Sequence, residues 1–504
     1  MIISLSVLVI TIIVSGTYAL YKAQLSKNIG VNTTTHGLAY YINYVKGTDI
    51  TAATLNPSTS YEGGASSDIE FWKKDDSYDI YGKIELTVNT IGTNLSNSPA
   101  LKYAVVNNGN VLKEGSLKGT TSGSKVTILK NLYLEQTKQI YTVYVWLDNS
   151  EELGNISNES LSISVDCTAS LQKEPTAADT IISLYTSAAK VTATNNSITY
   201  NTAPSVSLMN DRLGGTTTSL DGGNIRYYGA SPNNYIYFNC SNYSSQTSTT
   251  CGKWRIIGYV DNKVKLIRGS QIGTFSWDNK NDSTGGTLTY GKNDWTTARI
   301  MRLLNPSTYY TTDSNDNGYG QSLYWNAKSG TCFFGANNAT KPCDFTSIGI
   351  KNTTTRNLIS ETKYYLGGSN TFSIYSNQMY DYERGKAVFT GRPTEWTGKV
   401  GLAYPSDYGY AADFRSCTQD LDNYNNSACT SKNWMKAIIA PNYGALINPH
   451  SDVSYSIWRI NQNGGVGYDI ASTDYGITPV IYLDPKLAIK SGTGTSSSPY
   501  QLSV

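Results

Sequence analysis

The sequence predicts a mainly β chain whose second part mixes strands and helices, and three observations lead to this prediction. An uncharged apolar run occupies residues 2–20. Short segments with alternating apolar and polar residues follow, up to about residue 170. Beyond residue 220, strand-like runs alternate with short helical patterns and long polar loops. The prediction is therefore an N-terminal transmembrane or signal helix, a jelly-roll-like β-sandwich, and an α+β domain with long loops.

The apolar run indicates export, and residues 1–27 are assigned to it. As a helix, 19 residues would be about 28 Å long, close to the hydrocarbon thickness of a bilayer. One interpretation is a retained membrane anchor. The other is a signal peptide cleaved after Ala19, because Thr17-Tyr18-Ala19 approximates the small-x-small cleavage pattern. Contact with the membrane is expected only if the segment is not cleaved.

Residues 28–170 are predicted to form the β-sandwich. Period-two patterning is clearest at residues 80–88, 101–106, 125–129, 139–147 and 161–165. A hairpin-turn pattern, Asn107-Asn108-Gly109-Asn110, separates two strand-like runs. This alternation is typical of strands with one buried face.

A polar stretch around residues 168–180 predicts a linker, so residues 171–219 are assigned to a linker and short helix and residues 220–504 to the second domain. No arginine precedes Arg212, which supports a change of domain in this region. The predicted elements are a helix over 178–189, a hairpin of 254–260 with 263–267, a helix over 295–304, a hairpin beginning at 454–460, and a strand over 477–483.

Composition excludes one class of partner. The chain has 40 Lys and Arg against 38 Asp and Glu, and charged residues make up only 15% of it. Nucleic-acid binding requires a basic face or stripe, so no nucleic-acid partner is expected. The 40 tyrosines against 9 phenylalanines are typical of exported β-rich proteins and of binding faces.

Six of the seven cysteines form three close pairs, each enclosing ten or eleven residues: Cys240 with Cys251, Cys332 with Cys343, and Cys417 with Cys429. This spacing predicts disulfides that staple loops, and therefore an extracytoplasmic location. A metal site is the alternative, but C-x-x-C spacing is absent and the chain has only 2 histidines. Cys167 is left over and is predicted to be a buried small apolar residue.

The N-terminal part resembles the camelysin-like matrix-fibre proteins of Gram-positive bacteria. The resemblance depends on residues 14–20 (VSGTYAL) and 141–148 (YTVYVWLD) and covers about 150 residues. It implies a β-jelly roll behind an export segment.

The larger part resembles bacterial surface domains related to C-type-lectin-like and formylglycine-generating-enzyme-like folds. The resemblance depends on residues 252–258, 322–326, 396–410 and 476–483 and covers about 220–504. It implies a compact domain that displays long loops for ligand binding. The calcium motifs Glu-Pro-Asn and Trp-Asn-Asp of the lectins are absent, and no cysteine follows Cys429 where the enzymes have their catalytic pair. The resemblance therefore implies neither calcium-dependent sugar binding nor formylglycine-generating activity for this chain.

The residues favour a binding protein over an enzyme. Only His36 and His450 are present, so a Ser-His-Asp or Cys-His site would depend on one histidine, and His450 is predicted to lie in an exposed turn. Glu383 and Asp407 show no spacing typical of an acid/base pair, and surface-charge or loop-capping roles are expected for them. A divergent extracellular hydrolase remains an alternative, with no catalytic residues assigned.

Calcium is the one cofactor that the sequence suggests. Residues 313–318 (DSNDNG) match the first six positions of a calcium loop, which would make Asp313, Asn315 and Asn317 ligands. Tyr324 stands where the twelfth-position glutamate should be, so a full EF-hand is excluded. An irregular calcium site and a plain Asn/Asp/Gly turn remain the two interpretations.

The predicted ligand-binding residues are tyrosines beside glycines in loops: Tyr408, Tyr410, Tyr468 and Tyr475. Their rings and hydroxyls suit stacking on sugars. Trp396 and Trp458 lie in strand-like runs and are predicted to be core residues. The leading hypothesis is a non-catalytic cell-surface or secreted protein that binds an extracellular glycan or protein. The structural alternative is a subunit of an extracellular matrix fibre.

Overall fold

The structure is a computed structural model that describes residues 23–24, 41–51, 55–156, 158–171, 173–212, 223–280, 288–312 and 314–504. The chain is mainly β, with 37% strand and 15% helix, and it divides into two compact units, Met1–Glu174 and Pro175–Val504. The apolar run at residues 2–20 lies outside the described residues. Among the residues that are described, no helix is long and apolar enough to cross a membrane.

The first unit contains eleven described strands and one short helix. They are β1 (Ala23–Gln24), β2 (Ile42–Val45), β3 (Ile50–Thr51), β4 (Pro57–Ser58), β5 (Ala65–Lys73), β6 (Tyr81–Ile91), α1 (Thr93–Asn97), β7 (Leu101–Asn107), β8 (Asn110–Ser116), β9 (Lys125–Tyr133), β10 (Ile140–Asp148) and β11 (Leu161–Ser170).

Two sheets share the core of the first unit. One has the order β1-β11-β6-β9 with β3 also on β11, and the other has the order β2-β5-β10-β7-β8 with β4 parallel to β10. Every second residue of β5 and β6 points inward, so that Phe71, Ile84 and Leu86 are buried in one cluster. The five predicted strands are confirmed, and Asn108 and Gly109 make the predicted turn with φ of 49° and 75°.

The second unit begins with a capped helix. Its elements are α2 (Ala177–Ser187), β12 (Val191–Asn195), β13 (Ile198–Ala203), β14 (Leu208–Asn210), β15 (Ile225–Tyr227), β16 (Tyr235–Phe238), β17 (Gly252–Val260), β18 (Lys263–Arg268), β19 (Thr274–Ser276), α3 (Arg299–Leu304), β20 (Ser329–Phe333), β21 (Thr340–Asp344), α4 (Thr353–Asn357), β22 (Thr362–Tyr365), α5 (Ser376–Arg384), β23 (Glu395–Gly398), β24 (Val400–Gly401), α6 (Pro405–Tyr410), α7 (Ser427–Thr430), α8 (Lys436–Ile439), β25 (Gly444–Pro449), β26 (Ser456–Ile460), β27 (Val466–Ile470), β28 (Asp474–Gly476), β29 (Val480–Tyr482), β30 (Ala488–Ser491) and β31 (Gln501–Ser503).

Two larger sheets organise this unit. One has the order β12-β13-β14-β15-β17-β18-β29-β24 with β16 also on β17, and the other has the order β19-β28-β25-β26-β27. Three two-stranded sheets, β20-β21, β22-β23 and β30-β31, accompany them. One apolar core joins these elements and includes Trp396 and Trp458, which confirms their predicted burial.

Two predicted elements are corrected. Residues 191–210, assigned to a linker, form three strands that extend the large sheet because Ala193, Tyr200 and Leu208 are buried in its core. The helix predicted over 295–304 begins only at Arg299, since residues 294–298 form turns and the Asp278 carboxylate accepts the Arg299 N–H at 3.3 Å.

Candidate functional site

The three predicted disulfides are confirmed. Cys240–Cys251, Cys332–Cys343 and Cys417–Cys429 are bonded, all in the second unit, and Cys167 is free and buried as predicted. Three disulfides are typical of proteins outside the cytoplasm, where thiols are not kept reduced. Each also closes a loop of ten or eleven residues, which restricts the conformations of that loop.

Three of the four tyrosines predicted to bind a ligand are buried, so their predicted place at the surface is wrong. Tyr408 and Tyr410 lie in α6, whose residues are all buried, and Tyr475 lies in β28. The Tyr408 hydroxyl donates to the Gly464 carbonyl at 2.8 Å, and the Tyr475 hydroxyl donates to the Ile470 carbonyl at 2.7 Å. The neighbouring glycines allow close packing: a Cβ on Gly409 would lie 2.2 Å from Ser376 Oγ.

Tyr468 is only partly buried, and its ring packs against the exposed ring of Phe372. On β27 it stacks against Phe372 with centroids 4.2 Å apart and planes 14° from parallel. The Tyr468 ring also lies edge-to-face with His450 and with Trp458, and the ring centroids are 4.1 Å and 5.9 Å apart, respectively. Phe372 is 40% exposed. One face of the phenyl ring is therefore covered by Tyr468, and its orientation is held by that contact.

The loop between β26 and β27 carries amides beside this ring. Asn461, Gln462 and Asn463 line an open depression of about 540 Å³ together with Tyr443, which is 46% exposed. The loop is closed by its backbone, since Asn461 N–H donates to Gly465 O and Gly464 N–H donates to Asn461 O, both at 2.8 Å.

Gly467 connects the two parts of this surface. A Cβ there would lie 3.7 Å from the Phe372 ring edge and 3.9 Å from Asn461 Nδ2. Gly467 itself is buried, and the Phe372 ring edge and the Asn461 amide are therefore close neighbours around it. We call the set Phe372, Tyr443, Asn461, Gln462, Asn463 and Tyr468 the hairpin surface.

One ion pair and one further carboxylate accompany the hairpin surface. Arg459 Nε lies 3.4 Å from Asp469 Oδ2, and the guanidinium lies 4.9 Å from the Tyr443 ring centroid. The Asp452 carboxylate accepts hydrogen bonds from Asn370 Nδ2 and from Ser451 Oγ. No lysine or arginine in the described part of the chain forms an ion pair with Asp452.

His450 lies below this surface and is not in an exposed turn, so that prediction is wrong. The residue is buried, its Nδ1 accepts the Asp452 N–H at 3.1 Å, and its Nε2 has no hydrogen-bond partner. Burial lowers the pKa of His450, and the nearby Asp452 only partly opposes this. The neutral imidazole packs against Tyr468 and is closed to solvent.

Asp407 is a buried structural residue. Its carboxylate accepts Arg226 Nη1 at 2.7 Å, Lys265 Nζ at 2.6 Å and the Tyr404 N–H at 3.0 Å. The last bond caps the start of α6, so Asp407 has a capping role and is not a surface charge. Burial alone would raise the pKa of Asp407, but Lys265 and Arg226 outweigh it and the pKa is lowered. Arg226 also donates to Asp211 at 2.6 Å.

Glu383 is buried nearby. Its carboxylate accepts the Ser406 N–H at 2.8 Å and Ser406 Oγ at 2.5 Å. Burial raises the pKa of Glu383 to about 7, against the opposing effect of Arg384. Glu383 and Asp407 are both closed to solvent, so neither reaches a substrate at the surface.

The predicted calcium loop is described only in part. Asp313 and the side chain of Asn315 lie outside the described residues, while Asn317 is exposed with a φ of 50°. Asp316 points inward and accepts from Arg299 at 2.8 Å and Arg302 at 2.7 Å. No cluster of three metal-ligating His, Cys, Asp or Glu residues occurs among the described residues. The calcium site stays a prediction.

Phe372, Tyr443 and residues 461–463 were not predicted as site residues. The Asn463-Gly464-Gly465 sequence indicated a turn, and nothing local indicated that Phe372 would pack against Tyr468, 96 residues away. An isolated phenylalanine in a polar stretch, Ser369-Asn370-Thr371-Phe372-Ser373, is the pattern that could have drawn attention to it.

No protein-family model matches the chain, and no curated protein matches it. Among solved structures, the chain is similar at a low level to an HCR/D mutant, with 11% identity, a TM-score of 0.15, and 52% of this chain and 77% of that chain covered. A second is the receptor-binding domain of botulinum neurotoxin mosaic serotype C/D, with 13% identity, a TM-score of 0.15, and coverage of 50% and 73%. At this TM-score neither similarity bears on fold or function.

Proposed function

We propose that this chain is a non-catalytic protein outside the cytoplasm that binds an extracellular glycan or protein through the hairpin surface, as an adhesion protein does. The observation that carries the proposal is the Phe372 ring, 40% exposed and stacked on Tyr468. The N-terminal apolar run would hold the protein at the membrane, or would be cleaved to release it.

The free energy of an exposed ring supports a binding role. Leaving a phenylalanine side chain in water instead of burying it forgoes roughly 1.5–3 kcal/mol. A ligand that covers the ring would recover part of this free energy. Tyr468 keeps the ring in one orientation, so little conformational entropy is lost on binding.

The side-chain amides of the β26–β27 loop can orient a ligand through hydrogen bonds. Each side-chain amide of Asn461 and Gln462 offers two N–H donors and one carbonyl acceptor, and neither has a hydrogen-bond partner in the described part of the chain. Asn461, Gln462 and Tyr443 line one depression, and they are the polar part of the proposed site, with Phe372 as its apolar part. Apolar contact with a few directed polar groups is the usual composition of a ligand site.

The burial of the ionisable groups supports a role without catalysis. A general acid or base must come within hydrogen-bond distance of its substrate. His450, Glu383 and Asp407 are closed to solvent and bonded to neighbouring groups of the fold.

A binding experiment tests the proposal. The full-length protein, prepared with its disulfides intact, is applied to intact cells, protein arrays and glycan arrays. Wild-type protein is expected to bind at least one of these surfaces, and Phe372→Ala with Asn461→Ala is expected to abolish that binding. Tyr382→Ala is the matched control, because Tyr382 is 44% exposed and lies on α5 outside the hairpin surface. Equal binding by the double variant would contradict the proposal.

A second candidate function is a subunit of an extracellular matrix fibre, and the edge of the first unit favours it. Strand β8 ends its sheet, pairing with β7 on one side. Val111 and Leu112 in β8 are 43% and 36% exposed. An exposed apolar edge strand is a site where another chain can add a strand.

Electron microscopy and sedimentation of concentrated full-length protein test this candidate. Filaments that form in the wild type and are lost in Val111→Lys with Leu112→Lys would support the fibre role. A protein that stays monomeric at high concentration would exclude it.

A further inference from the structure

We infer that the hairpin surface takes neutral pyranose residues of a glycan and disfavours acidic ones. This inference rests on the proposed function, since it names the ligand class for the same surface. It follows from the flat ring, the unpartnered amides and the sign of the charge on Asp452, which is bonded to the segment that carries the ring.

The ring sets the shape of the ligand. Phe372 is stacked at 4.2 Å on one face by Tyr468, so its outer face is the one that a ligand can reach. A pyranose presents a flat face of C–H groups, which are attracted to the negative face of an aromatic ring. The depression lined by Tyr443 and the amides at 461–463 is open, so a ligand does not have to enter a closed pocket.

The amides set the polarity of the ligand. The Phe372 ring edge and Asn461 Nδ2 both lie within 4 Å of a Cβ built on the buried Gly467, so the ring and the amide are close neighbours. A sugar stacked on the ring therefore brings its hydroxyls to the amides at 461–463. Hydroxyls both donate and accept, and amides do the same, so these bonds form without a charged partner.

The negative charge of Asp452 disfavours the binding of acidic sugars. Asp452 is bonded to Asn370, two residues before Phe372, and its N–H donates to His450, whose ring contacts Tyr468. The carboxylate is thus fastened to the segments that hold the ring, and it has no cation as a partner among the described residues. Arg459, the cation named above beside Tyr443, is opposed by Asp469 at 3.4 Å. A ligand carboxylate would meet net negative charge near the ring.

The experiment compares oligosaccharide classes with the full-length protein by calorimetry and on a glycan array. The probes are neutral hexose and N-acetylhexosamine oligomers, and matched oligomers that carry uronic or sialic acid. Neutral oligomers are expected to bind more tightly than their acidic counterparts. Phe372→Ala is expected to weaken neutral binding about tenfold, the size of one good aromatic contact, and Tyr382→Ala is expected to leave it unchanged.

Asp452→Asn tests the charge argument separately. Removing the carboxylate is expected to strengthen binding of acidic oligomers about threefold at low salt and to leave neutral binding within about twofold. A preference for acidic oligomers in the wild type, or an unchanged selectivity in Asp452→Asn, would overturn the inference. Protein ligands that depend on Phe372, without glycan binding, would also overturn it while leaving the proposed function intact. No binding to any glycan, protein or cell surface would overturn both.

Discussion

The two units are stabilised in different ways. In the first unit, apolar side chains alternate into one core, no disulfide is formed, and pairs such as Lys102 with Asp148 lie near the surface. In the second unit, three disulfides staple the loops, and Asp407, Arg226 and Lys265 form an ion cluster closed to solvent. The core of the first unit follows a local pattern, whereas the second unit depends on contacts between distant parts of the chain.

The separation of the partners shows what this difference means. Asp407 is 181 residues from Arg226 and 142 residues from Lys265. A buried charge without its partner is costly, so this cluster is stable only when three segments of the second unit are assembled together. We therefore expect changes in the second unit to have large effects, and comparable changes at the surface of the first unit to have small ones.

Reducing the disulfides is expected to have the largest effect. The bonded cysteines are 11 or 12 positions apart, and loop entropy predicts about 2.8 kcal/mol per bond, or about 8 kcal/mol for the three. Full reduction, verified by mass spectrometry, should unfold the second unit at lower denaturant while the first unit keeps its stability. Hydrogen exchange measured in β10 reports on the first unit, and hydrogen exchange measured in β17 reports on the second. Equal loss of protection in both strands would contradict the comparison.

Asp407→Asn is expected to have the next largest effect. The amide keeps the shape but leaves Arg226 and Lys265 buried without their shared carboxylate, which should cost about 3–5 kcal/mol. The free energy of unfolding of the second unit is measured by urea titration followed by Trp fluorescence, because seven of the nine tryptophans lie there. A loss below about 1 kcal/mol would mean that the cluster is not the element that stabilises the second unit.

Glu383 should affect how the free energy of unfolding of the second unit depends on pH. Burial raises its pKa from 4.5 to about 7, so between these values the folded protein holds a proton that the unfolded chain has lost. The contribution of Glu383 to the free energy of unfolding is therefore fully present below pH 4.5 and is lost as pH rises to 7. Asp278, with its pKa raised by burial to about 6, acts in the same direction, and His450, whose pKa is lowered, acts in the opposite one.

Glu383→Gln isolates this effect, because Asp278 and His450 are unchanged in it. The variant should lose less stability than the wild type between pH 4.5 and 7, by about 2–3 kcal/mol. Urea titrations at a series of pH values measure the difference. Identical pH profiles for the two proteins would show that Glu383 does not titrate in this range.

Sequence patterning predicted the fold of the first unit well, for a physical reason. A strand with one buried face must alternate, so β6, β7, β9, β10 and β11 could be found from residues within each segment. The three disulfides and the burial of Cys167 followed from spacing and number. In the second unit the strands at 191–210 were missed, because their apolar residues are few and their burial depends on partners elsewhere in the sheet.

The candidate site could not be predicted in the same way. Tyrosines beside glycines were interpreted as loop residues at a surface, but at Tyr408 and Tyr410 the small residue allows helix α6 to pack closely. Only Tyr468 of the four contributes to the hairpin surface. Its partner Phe372 comes from a distant loop, and stacking between distant rings leaves no periodic pattern in the sequence.

The smallest effect is expected from Asp148→Asn in the first unit. Lys102 and Ser150 hold the pKa of Asp148 at about 2, although its partial burial opposes them. The Lys102 and Asp148 side chains are 20% and 14% exposed, and Glu151 remains as a second partner of Lys102 at 3.1 Å. We expect a loss of at most about 1 kcal/mol, as for other pairs that water can reach. Measured by hydrogen exchange of β7 and β10, a loss as large as that of Asp407→Asn would remove the distinction between the two units, because the same substitution would then cost as much at a solvated pair as in a sealed cluster.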